Sequence, residues 1–178
     1  MSVSRRSLLK NLGLAGAAAT VAGPAAAMSS KPPVDPLADK VIADFGHGVA
    51  SGDPLSDRVI LWTRITPQVN AAIDVSWRIC RDIDMTDEVN SGVFTTNAER
   101  DYTVKVDADG LMPNTWYYYQ FEAGDKKSEI GRTKTAAETG LDRLRLAVVS
   151  CSSFPHGYFN VYRVLSERND LDAIVHLG

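Results

Sequence analysis

Through the middle of this 178-residue chain, apolar and polar residues alternate with a period of two. Ile73, Val75, Trp77 and Ile79 interleave with Asp74, Ser76 and Arg78, and Tyr102, Val104 and Val106 interleave with Thr103, Lys105 and Asp107. That period gathers one set of side chains on one face of a strand, whereas on a helix it would scatter them around the axis. Further runs rich in β-branched and aromatic residues occupy 59–65, 92–96, 116–122 and 128–133, each bounded by turn residues. With 46–50 as the first strand, about seven strands fall within roughly ninety residues, the number and spacing of a β-sandwich.

One local signature agrees. Leu111, Pro113 and Tyr117 place a leucine, a proline turn and a tyrosine where a strand begins. This resembles the tyrosine corner of fibronectin type III-like sandwiches, whose tyrosine hydroxyl bonds back to the preceding loop. Read more simply, Tyr117 is a half-buried strand aromatic, and both readings predict the same fold.

Beyond a polar linker the pattern changes. Leu144, Leu146, Val148 and Val149 form a short apolar run that ends at Ser150-Cys151-Ser152-Ser153. Tyr158, Val161, Tyr162 and Leu165 then recur at i, i+3, i+4 and i+7, the stripe of a helix packed on a sheet, with Asn169 as its stop. Residues 173–177 supply a second buried strand, and the whole predicts a right-handed strand–helix–strand unit. Two parallel strands do not bury both of their faces, so the unit is expected to open an α/β domain that continues in a longer protein. Function in such sheets gathers at the carboxyl ends of the strands, here Cys151 and His176-Leu177-Gly178.

At the amino end stand Ser4-Arg5-Arg6-Ser7-Leu8-Leu9-Lys10, a mild Ala- and Gly-rich apolar stretch, and Ala25-Ala26-Ala27. These are the parts of an export signal of the twin-arginine kind, cut after Ala27. The apolar stretch is too short and glycine-rich to span a bilayer, so no stable membrane anchor is expected. The twin-arginine translocation machinery is the implied partner, and the periplasm or the exterior the implied destination. Removing the signal lowers the basic count from 19 to 16 against 22 acidic residues, a net charge of −6. A surface that acidic offers no nucleic-acid-binding patch. The two cysteines, Cys80 and Cys151, match no zinc or redox spacing, and their assignment to different domains argues against a disulfide.

Phe45-Gly-His-Gly-Val-Ala-Ser-Gly-Asp-Pro54 invites comparison with a phosphate-binding loop, but Ser51 stands where the dinucleotide fingerprint needs glycine and no Gly-Lys-Ser/Thr follows. A structural loop turning at Asp53-Pro54 is the better reading. His47 is then a surface or packing histidine, since no second metal ligand lies near it in sequence. His176 precedes a turn and is read as a packing residue. His156, in the loop after Cys151, lies within reach of a substrate phosphate but stands alone.

Taken in order, the 45–54 loop, Val59-Ile-Leu-Trp-Thr-Arg64, residues 111–119, Ser150-Cys151, Gly157-Tyr-Phe-Asn160 and His176-Leu-Gly178 resemble the PhoD family of alkaline phosphatases and phosphodiesterases. The resemblance covers nearly all of the chain after the signal. It implies a mainly β fold: a fibronectin type III/Ig-like sandwich followed by the first β-α-β unit of an α/β/β/α metallophosphoesterase domain. The implied domains are a signal at 1–27, a linker at 28–44, the sandwich at 45–133, a linker at 134–142 and an incomplete phosphatase domain at 143–178. The implied activity is hydrolysis of phosphate mono- and diesters with Fe3+ and Ca2+. Cys151 matches the family's iron-ligating cysteine, and the next ligand, an aspartate directly after His-Leu-Gly, would fall beyond Gly178. The fragment alone is therefore expected to be inactive. Two alternatives stand beside this one: an exported fibronectin-like binding module without catalysis, and another metallohydrolase exported by the twin-arginine route.

Overall fold

The computed structural model describes residues 43–178. The expected export signal and most of the spacer after it lie outside the described residues. Short strands dominate: β1 (Ala43–Asp44), β2 (Val49–Gly52), β3 (Val59–Arg64), β4 (Thr66–Pro67), β5 (Ile73–Cys80), β6 (Glu88–Thr96), β7 (Thr103–Ala108), β8 (Trp116–Ala123), β9 (Lys126–Lys127) and β10 (Gly131–Lys134). They form an antiparallel sheet in the order β2-β3-β7 and a second in the order β10-β8-β5-β6, with β9 folded onto β8 and a small β1-β4 ladder beside them.

The period of two accounts for how the sheets pack. Val59, Leu61, Ile73, Val75, Ile79, Val104, Val106, Tyr117 and Phe121, drawn from both sheets, share one buried cluster. Their polar neighbours Asp74, Ser76, Lys105 and Asp107 face solvent. Two inner faces interdigitating in this way make the expected sandwich. Backbone close approach is built in at two glycines. A Cβ on Gly92 would lie 2.9 Å from the Trp77 indole nitrogen, and one on Gly131 would lie 2.2 Å from the Tyr119 ring, so each aromatic lies over the glycine opposite it in the ladder. Burial pushes the Tyr119 hydroxyl up to about 12, against a weaker opposing hydrogen bond with Ser51.

The tyrosine corner is present as geometry. The Met112 N–H donates to the Tyr117 hydroxyl at 2.8 Å, and Tyr117 is fully buried. Thr135 closes the same loop by donating to the Met112 carbonyl at 2.6 Å and accepting from the Thr115 N–H at 3.0 Å. Sequence and structure differ along 128–133, where one continuous strand was expected. The Ser128 N–H donates to the Phe121 carbonyl, while the Ser128 hydroxyl accepts from the Phe121 N–H at 3.0 Å and donates to the Glu129 carbonyl at 2.7 Å. A side chain thus replaces a backbone rung at the start of the run, and the strand forms only from Gly131 as β10, with the short β9 lying before the run. Strand β6 in turn starts at Glu88, four residues earlier than its apolar run.

After the sandwich come β11 (Leu146–Val149), α1 (Asn160–Ser166) and β12 (Ala173–His176). Strands β11 and β12 pair in parallel from Leu146↔Ala173 to Val149↔His176. The helix stripe is only half covered: Tyr162 and Leu165 are half-buried, whereas Val161 and Tyr158, which precedes the helix, are exposed. The strands are open too, with Val148 62% and Ile174 54% accessible. Asn169 lies three residues past the helix end, where its side-chain oxygen accepts from Arg132 at 2.5 Å.

Arg132 and Lys134 of β10 tie this unit to the sandwich. Both cations lie over the Trp116 ring, at 4.7 and 5.5 Å from its centroid. Lys134 donates to Asp172 at 2.5 Å, and the second oxygen of Asp172 accepts the Arg145 N–H at 2.9 Å, so one carboxylate clamps β10 to the beginnings of β11 and β12.

Candidate functional site

Parallel strands end side by side, so β11 and β12 bring residues 150–153 and 176–178 together at one edge. The Leu177 N–H donates to the Val149 carbonyl at 2.9 Å and the Cys151 N–H to the Gly178 carbonyl at 2.7 Å, carrying the pairing past both strands. Cys151 takes φ 55° there, in the left-handed region that a residue with a Cβ seldom occupies. Such strain concentrates where a side chain must be aimed, and here it falls on an exposed free thiol.

Around it the loop and helix close a cavity of about 390 Å³ whose wall includes Cys151, Ser152, Ser153, His156, Tyr158 and Tyr162. Ser153 and the His156 Nδ1 are hydrogen-bonded at 2.9 Å. The Tyr162 hydroxyl donates to Ser152 at 2.7 Å and meets the His176 Nε2 at 2.6 Å, while the Gly178 N–H donates to the His176 Nδ1 at 3.0 Å. His176 is exposed and bonded through both ring nitrogens, so it is a hydrogen-bonding residue and not the packing residue expected from its position. Tyr162 and Ser152 were legible only as a helix-stripe aromatic and a strand-end serine. Their meeting depends on how α1 lies against the strand ends, which the sequence does not display.

Cys80 is also free but buried, and burial pushes its thiol up. His47 is a surface histidine whose Nε2 accepts from Arg64 at 2.5 Å and contacts the Thr66 hydroxyl at 3.2 Å. Arg64 also forks onto Asp101 at 2.9 and 3.1 Å and holds its carboxyl below the usual range.

Among the described residues no group of three His, Cys, Asp or Glu side chains stands close enough to hold a metal ion. What the strand ends offer is one accessible sulfur donor, with His156 on the same cavity wall. These residues suit one corner of a metal centre and do not complete a coordination sphere.

Comparison with known proteins gives the arrangement a context. The model of the PhoD-like phosphatase N-terminal domain matches residues 29–137, and that of the PhoD-like phosphatase itself matches residues 146–178. The chain belongs to the PhoD-like phosphatase family. Alkaline phosphatase D of Bacillus subtilis (strain 168) is 38% identical over 143 residues, covering 75% of this chain and 24% of that protein. A solved structure of PhoD superposes with a TM-score of 0.70 at 38% identity, covering 74% of this chain and 27% of that one. The chain thus spans about a quarter of the length of the relatives it matches. The boundary between the two family matches, 137 to 146, falls between Ala136, whose carbonyl accepts the Asn114 N–H of the corner loop at 2.9 Å, and the start of β11.

Proposed function

We propose that this sequence supplies the accessory sandwich and the opening of the catalytic domain of an exported, metal-dependent phosphatase that hydrolyses phosphate mono- and diesters. The observation that carries the reading is the coincidence of the second family match with a strand–helix–strand unit whose first strand ends in an accessible, backbone-strained cysteine. Ferric and calcium ions are the proposed metals, with Cys151 as the ligand this stretch contributes to iron. When bound, such ions neutralise charge developing on the phosphoryl oxygens and lower the pKa of an attacking water. The chain's own share is positional. Cys151 holds its sulfur at the strand edge, and the loop from Ser152 to His156 forms the adjoining wall of the cavity. The Arg132, Lys134 and Asp172 clamp keeps the sandwich in register with the strands.

Residues 1–27 are proposed to direct export by the twin-arginine machinery, which carries proteins already folded and so suits an enzyme that acquires metal before it leaves. The periplasm or the exterior follows as the place of action. Phosphate esters are the only small-molecule partners proposed.

The test is hydrolysis of chromogenic phosphate mono- and diesters by a chain of the relatives' length carrying this sequence, assayed with and without added calcium. Hydrolysis that rises with calcium and fails after chelation is expected. A metal-replete protein that leaves both esters intact would sink the proposal.

A further inference from the structure

The geometry points to Tyr162 as a positioning residue whose hydroxyl closes a hydrogen-bonded ring that holds Cys151 in its left-handed backbone conformation. Donor chemistry fixes the direction of the ring. A backbone N–H only donates, so the Gly178 N–H at 3.0 Å makes the His176 Nδ1 an acceptor. The neutral imidazole then carries its proton on Nε2, which donates to the Tyr162 oxygen at 2.6 Å. That leaves the tyrosine proton for Ser152, where the oxygens are 2.7 Å apart. Ser152 is covalently joined to Cys151, and the Cys151 N–H returns to the Gly178 carbonyl at 2.7 Å. Every bond in the ring thus has one donor and one acceptor, and a single histidine tautomer satisfies them all.

Three separate pieces of chain meet in this ring: the end of β11, the middle of α1 and the end of β12. The Tyr162 and His176 rings lie 6.0 Å apart at 32°, and Phe159 lies 5.6 Å from Tyr162, so the tyrosine is held by its neighbours as well as by its hydroxyl. A strained φ persists only where its surroundings over-determine it, and the ring supplies that constraint on both sides of Cys151. The purpose assigned to the ring, aiming the Cys151 sulfur toward a metal centre, rests on the proposed function. The ring itself does not.

Two readouts on a metal-free chain of the relatives' length carrying this sequence test it without reference to hydrolysis. Long-range nitrogen–proton NMR of the histidine rings should show His176 protonated on Nε2 and bare on Nδ1. Tyr162→Phe, which keeps the aromatic packing, should leave His176 on the tautomer that the Gly178 N–H fixes and speed hydrogen exchange of the Cys151 amide, itself a donor in the ring, roughly fivefold, the effect of one lost hydrogen bond on a local opening. Ser152→Ala should speed that exchange similarly and leave the tautomer unchanged. Val164→Ala, on the exposed side of the same helix, should alter neither. Wild-type His176 protonated on Nδ1 or exchanging freely, or a Tyr162→Phe chain with unchanged exchange of the Cys151 amide, would overturn the assignment. Failure of the enzyme to hydrolyse phosphate esters would leave both readouts standing and count only against the proposed function.

Discussion

Tyr117 shows what one hydroxyl contributes. Replacing it with phenylalanine keeps the ring in the core but strands the Met112 N–H, so Tyr117→Phe should lower the sandwich's unfolding free energy by about 1–2 kcal/mol. Urea unfolding followed by tryptophan fluorescence measures this, and a shift in midpoint at unchanged slope is the expected form. The corner was legible beforehand because its parts, Leu111, Pro113 and Tyr117, lie within seven residues. Cys151 was legible by a different route, as the residue after an apolar run in a motif of recognised order. The ring around it was not, because Tyr162, Ser152 and His176 meet only through the crossover geometry of α1, and a periodicity argument assigns Tyr162 to packing alone. The same limitation made His176 a packing residue, where the structure leaves it exposed and hydrogen-bonded through both ring nitrogens.

Among the elements, the sequence pattern located the long strands but missed the first four residues of β6, and it put the first strand at 46–50, where the chain turns before β2 begins at Val49. Strand β5 occupies the interval its alternation marks, because its apolar residues join the core shared with the β2-β3-β7 sheet. The 128–133 run reads as equally continuous, yet the Ser128 hydroxyl takes over a rung of the ladder at its start and the strand begins only at Gly131. The clamp between β10 and β12 was not legible either, since Lys134 and Asp172 lie on elements whose pairing emerges only in three dimensions. It carries a pH dependence with a definite sign. The hydrogen bond from Lys134 holds the Asp172 carboxyl below its ordinary value, so the clamp is fully formed above about pH 4 and is lost as pH falls through the depressed value. Hydrogen exchange of the β12 amides, compared between wild type and Asp172→Asn, tests this. Faster exchange in the variant is expected near neutral pH, with the difference closing once acid has protonated the wild-type carboxyl. A difference that persisted in strong acid would contradict it.

The molecule as a whole is uneven. The sandwich has a closed core containing Tyr117, Phe121 and Leu61, whereas β11, α1 and β12 leave Val148, Val161, Ile174 and Leu177 open to water. Parallel strands are stable when covered on both faces, so the 178-residue chain should open first beyond residue 144. Limited proteolysis should cut there and leave a resistant core ending near residue 137. Cuts falling first within the sandwich would show the reverse order of stability. Beyond residue 144 the described chain presents one accessible sulfur donor on a strained turn, and the matched relatives are about three times as long as this chain. The account stands most directly on Cys151. Elemental analysis of iron in a chain of the relatives' length, set beside its Cys151→Ala variant, should find bound iron in the first and a loss of most of it in the second, with the sandwich still folded. Full retention of iron in the Cys151→Ala variant, or its absence from the metal-replete parent, would contradict the role given to this strand end.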